Sequence, residues 1–107
     1  MKVAITSAGN SQESQLDSRF GRCSYFVIYD TISHSTEYIP NPFKDYVEGA
    51  GLASVQLVAS RGVEKVVSGE FGTKVKSLFD SHKIQLIVLN NPKKKLFEII
   101  ELLNHTR

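Results

Sequence analysis

Two arginines, one cysteine and a pair of glycines carry most of the chemistry available to this sequence. Arg19 and Arg22 flank Phe20 and Gly21 in the block SRFGRCS, Ser18 to Ser24, and Cys23 follows directly. Guanidinium groups at this spacing suit an anion, since each presents a fixed fork of N–H donors. Gly69 and Gly72 bracket Glu70 and Phe71 in GVEKVVSGEFGT, Gly62 to Thr73. Glycines let the backbone turn sharply or approach another group closely. Thr73 is placed to cap the helix that follows, its hydroxyl accepting from a free N–H of the first turn. A strand that runs through glycines into a helix start is where α/β proteins tend to place anionic ligands. Cys23 reads in two ways. It is a small apolar residue opening a strand, or a thiolate favoured by Arg22 and nearby helix starts, and so a soft metal ligand.

The elements that must position these residues follow from propensity and period. Lys2 to Thr6 is an apolar strand suited to cover on both faces. Ser7 to Asp17 is a long polar connection, of the kind that is either functional or disordered. Tyr25 to Asp30, YFVIYD, is the clearest strand by propensity, and Thr36 to Ile39 pairs with it as an antiparallel hairpin. Pro40-Asn41-Pro42 ends that pairing. A first helix runs from about Gly49 to Arg61, with Leu52, Val55, Leu57, Val58 and Ala59 on its apolar face. Val66 and Val67 belong to the next strand. A second helix covers about Thr73 to His82, with Val75, Leu78 and Phe79 inward. Ile84 to Leu89 is a further buried strand. Asn91 caps a third helix with Pro92 in its first turn, and Leu96, Phe97, Ile99, Ile100 and Leu103 face inward.

The order β-β-β-α-β-α-β-α, with right-handed crossovers, predicts an α/β fold. It is a five-stranded mixed sheet of order 3-2-1-4-5 with helices on both faces, and the first strand lies at a topological switch point. One sheet edge then collects the loop from Ser7 to Ser24, Asn41, Gly49 to Gly51, the Gly69–Gly72 turn and Asn90-Asn91-Pro92. Three helix starts point free N–H groups at it. We expect an anion-binding crevice there, with Lys93, Lys94 and Lys95 as a solvated face beside it.

The 107 residues predict one domain, 1–107, of ordinary soluble composition, 41% hydrophobic and 22% charged. A net charge of +2 is too small to predict nucleic-acid binding. One cysteine gives no internal disulfide framework and fits a reducing, cytoplasmic compartment. No apolar run is long enough to span a bilayer. His34, His82 and His105 fall away from the crevice, so neither a zinc site nor a Ser–His–Asp triad is supported. GAGLAS at Gly49 to Ser54 mimics part of a dinucleotide fingerprint, but DYVE before it is no apolar strand and the third glycine is missing.

Taken together, SRFGRCSYFVIYD at Ser18 to Asp30, Asn41-Pro42, GAG at Gly49 to Gly51 and GVEKVVSGEFG at Gly62 to Gly72 resemble the dinitrogenase iron–molybdenum cofactor biosynthesis family. That family includes NifX-type carriers, the C-terminal part of NifB and small stand-alone members. The likeness covers almost the whole chain. It implies a ribonuclease H-like three-layer α/β/α fold and labile, non-catalytic binding of an anionic metal–sulfur cluster or its precursor. Iron–sulfur and iron–molybdenum types are both in scope, and the implied partners are metallocluster assembly proteins. The positions implied are Arg19, Phe20, Gly21, Arg22 and Cys23, with Gly49, Gly51, Gly69 and Gly72; Cys23 is the implied metal ligand. Nitrogenase-associated carriers often have histidine where this chain has Arg19. A nucleotide- or phosphate-binding module, and a cofactor-free interaction domain of an assembly complex, remain the alternatives from other classes.

Overall fold

In the computed structural model, residues 1–105 are described, so 106 and 107 of the expected 1–107 domain lie outside the described residues. The strands are β1 (Lys2–Ser7), β2 (Tyr25–Asp30), β3 (Thr36–Pro40), β4 (Val63–Ser68) and β5 (Gln85–Val88). The helices are α1 (Ala50–Ser60), α2 (Thr73–Ser81) and α3 (Leu96–His105). The sheet order is β3-β2-β1-β4-β5, with β2 antiparallel to both β1 and β3, and with β1, β4 and β5 parallel. This is the mixed α/β arrangement expected from the sequence.

Successive residues of a strand point to opposite faces, and the central strands use both. Ala4, Phe26, Ile28 and Val66 meet Val55 and Val58 of α1 and Val75 and Phe79 of α2 on one face. Val3, Ile5, Val27, Tyr29 and Val67 meet Leu96, Ile99 and Ile100 of α3 on the other. β1 is therefore buried from Val3 to Ser7, as a strand at a switch point between two helical layers must be. β5 is different: it is an edge strand, half exposed, and Val88 lies mostly in solvent. The expectation of a buried fifth strand is corrected accordingly. Leu52 and Phe97, expected inward, are also exposed.

The helix starts differ from the sequence reading. α3 begins at Leu96, not near Asn91. The Lys95 N–H donates to Glu98 Oε1 at 3.0 Å, the glutamate half of a capping box. The next two N–H groups, of Leu96 and Phe97, donate to the carbonyls of Ser14 and Gln12. The third helix start is thus filled by the chain itself and does not face the edge with free donors. The long polar connection supplies those carbonyls because it is ordered: Ser7 bridges Leu16, Gln15 bridges Lys95, and Leu16 is buried. α2 begins at Thr73, whose hydroxyl does not cap it; the cap position is Gly72. Neither α1 nor α2 has a side-chain cap, and their first backbone bonds run from Ala53 to Gly49 and from Lys76 to Gly72. The earlier N–H groups of both first turns therefore lack an intrahelical partner. No helix among the described residues is long and apolar enough to cross a membrane.

Candidate functional site

β1, β4 and β5 end, and β2 begins, at the same sheet edge, and the block Ser18–Cys23 is pressed into the middle of it. Two glycine contacts set its position. A Cβ at Gly69 would lie 2.6 Å from the Cα of Ser18, so only glycine lets these backbones touch. Arg19 and Glu70 form a parallel bridge directly beside that contact. On the other side, Gly21 has φ +94°, and a Cβ there would lie 3.4 Å from the Cα of Gly51 in α1. The left-handed φ itself calls for glycine. The block is therefore held between the β4–α2 turn and the start of α1.

Side chains finish the seating. Phe20 packs against Phe26, Phe71 and Phe79 with ring centroids 5.8, 5.6 and 5.1 Å away. Asn41, itself buried, donates from Nδ2 to the carbonyls of Gly21 at 3.0 Å and Cys23 at 2.9 Å. Its Oδ1 accepts from the Phe43 N–H at 2.9 Å. Asn41 thus ties the block to the segment after β3. Below it, Thr6 donates to the Asp17 carbonyl at 2.7 Å and is in hydrogen-bond contact with Ser68 at 2.9 Å.

Cys23 does not become a thiolate here. It is 0% exposed and belongs to the core beneath Phe20. Burial pushes its thiol up from 9.0 to about 12, the Asp17 carboxylate adds to the rise, and N–H donors including Asn41 only partly oppose it. The expectation of a depressed pKa beside Arg22 is corrected: the side chain points into apolar packing, and desolvation wins. Among the described residues no three His, Cys, Asp or Glu side chains gather closely enough to hold a metal ion.

What opens to solvent is a cleft of about 430 Å3 lined by Arg19, Phe20, Arg22, Glu70, Phe71 and Gly72. Arg19 stands over it with a side chain 58% exposed. Asp17 orients it, with Oδ1 accepting the Arg19 backbone N–H at 3.0 Å and lying 3.5 Å from Nε. Arg22 is used differently. Its Nη1 donates to the carbonyls of Lys44, at 2.9 Å, and Tyr46. Gly49 and Gly51 line a neighbouring groove of about 620 Å3 with Leu52, Lys74, Val75, Ser77 and Leu78. The expected positions thus fall into three sets. Arg19, Phe20, Arg22 and Gly72 share the cleft, Gly49 and Gly51 share the groove, and Gly21, Cys23 and Gly69 set the backbone behind them. Sequence reading placed Asn41 at this edge without assigning it a role, and it gave Asp17 no role at all. Their signal was an acidic residue two before Arg19 and an asparagine next to proline, both common turn formers. Glu70 and Asp17 bring carboxylates to the edge, so the local field is weaker than two arginines alone would give.

Two outcomes follow from this geometry. Gly69→Ala should cost about 1–3 kcal/mol, as overpacking against backbone does, whereas Gly72→Ala, with nothing within 4 Å of its added carbon, should cost about 1 kcal/mol or less; urea midpoints of the two variants check this. Cys23 in the native protein should resist iodoacetamide at neutral pH and react on unfolding. The sign of its pH effect is also fixed. Above 9.0 the unfolded thiol loses its proton while the native one keeps it up to about 12, so stability falls as pH rises through that window. Fast native alkylation at neutral pH would contradict the burial.

Comparison with known proteins agrees with the fold. The apo form of the orange protein from Desulfovibrio gigas superposes with a TM-score of 0.88 at 23% identity, over 95% of this chain and 85% of that one. At that identity the likeness shows the fold alone. A Thermotoga protein provisionally assigned to NifB superposes with a TM-score of 0.80 at 29% identity, again over 95% and 85% of the two chains. An uncharacterized protein of Methanocaldococcus jannaschii is 29% identical over 93 residues, covering 84% of this chain and 75% of its own length. The family model described as dinitrogenase iron-molybdenum cofactor matches residues 1–105, which take in the whole glycine-clamped edge and the sheet beneath it, and the chain belongs to that family.

Proposed function

We propose that this protein is a non-catalytic carrier whose cargo is an anionic metal–sulfur cluster, of iron–sulfur or iron–molybdenum type, or its precursor. The observation that carries this reading is the exposed Arg19 guanidinium, fixed by Asp17 over a cleft that ends at the uncapped start of α2. Guanidinium and backbone N–H groups are donors to the sulfides of a cluster. They suit a guest held by hydrogen bonds and charge, and easily passed on. Direct ligation by protein is not part of this reading, because the one thiol is buried and protonated. Membership of the iron–molybdenum cofactor family supports the class of cargo, and the provisional NifB assignment of the Thermotoga relative supports a place among assembly proteins. Those proteins would be the donors and acceptors of the cluster, in the cytoplasm.

The test is an anaerobic titration with tetrathiomolybdate, an anionic metal sulfide, followed by its visible absorption. Wild type should bind saturably and more weakly as salt is raised. Arg19→Ala should bind about tenfold or more weakly, the loss of a charge-assisted hydrogen bond of about 1.5–3 kcal/mol. Cys23→Ser should bind like wild type. Equal affinity in wild type and Arg19→Ala would contradict the proposal. Stronger binding of inorganic phosphate or ADP at the same residues would point instead to a phosphoryl ligand.

A further inference from the structure

The segment between β3 and α1 lies almost wholly in solvent: residues 44 to 49 are all exposed, Val47 at 94%. Its internal order is slight, an Asx turn from Asn41 to Phe43, a Tyr46 N–H to Phe43 carbonyl bond at 3.1 Å and an edge-on stack of the two rings at 5.3 Å. It ends at Gly49, whose φ of +80° makes it a natural pivot into α1. Beyond Asn41 at its root, two side chains tether it among the described residues, through three hydrogen bonds. One is Lys44, whose Nζ donates to Ser24 Oγ at 3.4 Å. The other is Arg22, which closes both N–H groups of Nη1 on the Lys44 and Tyr46 carbonyls. Arg22 also lines the cleft, and its Nε and Nη2 donors have no protein acceptor among the described residues.

We propose that Arg22 couples occupancy of the cleft to the order of the segment from Phe43 to Glu48. This rests on the carrier reading above. A guanidinium has five donors in one rigid plane, so one end can hold the segment while the other meets an anion. An anion in the cleft fixes the plane, and a fixed plane holds the two carbonyls. The segment is then a strap that tightens over a loaded site and loosens when it empties. Lysine carries three donors on a compact ammonium at the end of a flexible stem, with no rigid plane linking one contact to the other, so charge alone does not transmit the effect.

Amide hydrogen exchange read by NMR at Phe43 and Tyr46 tests this, with and without saturating tetrathiomolybdate whose binding is confirmed by absorption in the same sample. In wild type, exchange at both amides should slow about tenfold on saturation, equivalent to about 1.4 kcal/mol. In Arg22→Lys, saturated at a higher probe concentration, exchange should not change. Arg19→Ala, once saturated, should still show the slowing. Unchanged exchange in saturated wild type would overturn the coupling and leave the carrier reading standing. Equal slowing in Arg22→Lys would overturn it as well. Failure of wild type to bind the probe would overturn both.

Discussion

The Ser18–Cys23 block can lie where it does only because Gly69 carries no side chain. A single methyl there would meet the Ser18 backbone at 2.6 Å, and a backbone cannot step aside as a flexible side chain can. Everything at the edge follows from that approach. The Arg19–Glu70 bridge forms beside it, Phe20 is driven down onto Phe26, Phe71 and Phe79, and Gly21 comes to rest on Gly51 at the start of α1. The cleft is the space left above these contacts.

The same seating decides which groups face a guest. Pressing Phe20 into the core carries Cys23 down with it and leaves the thiol neutral. The arginines on either side are left outside, one aimed by Asp17 and the other holding the segment after β3. The cleft therefore presents guanidinium donors beside the Glu70 carboxylate, with the thiol buried behind it. On the carrier reading proposed above, a guest held by charge and hydrogen bonds alone would be released readily, which suits transfer better than storage. The carboxylates of Asp17 and Glu70 work in the same direction, since they temper the attraction that Arg19 provides.

Much of the fold was legible because its signals are local. YFVIYD is β-branched or aromatic from Tyr25 to Tyr29 and forms β2 at those very residues, ending at Asp30. Chain order and crossover handedness were enough to place β1 at the centre and to bring Gly21 and Gly69 to one edge. The misreadings arose where distant backbone supplied what local sequence seemed to supply. Asn91-Pro92 has the form of a helix start, yet α3 begins at Leu96, where the carbonyls of Gln12 and Ser14 satisfy its first donors. Thr73 has the form of a cap, yet Gly72 holds that position. For Cys23, adjacency to Arg22 in sequence suggested a thiolate, but the guanidinium turns away to two carbonyls and the sulfur faces the core. Leu52 and Phe97 lie on the helices expected of them, yet both remain exposed.

On the carrier reading, an anionic metal sulfide sits in the cleft of Arg19, Phe71 and Gly72, held by donors alone. Mapping amide chemical shifts of the labelled protein during titration with such an anion tests it most directly. The largest shifts should fall at residues 18–22 and 70–75, with smaller changes at 43–48 and none at the hairpin turn around His34. Shifts centred on the opposite sheet edge, or a large perturbation at the Cys23 β-carbon of the kind metal–thiolate bonding produces, would contradict it.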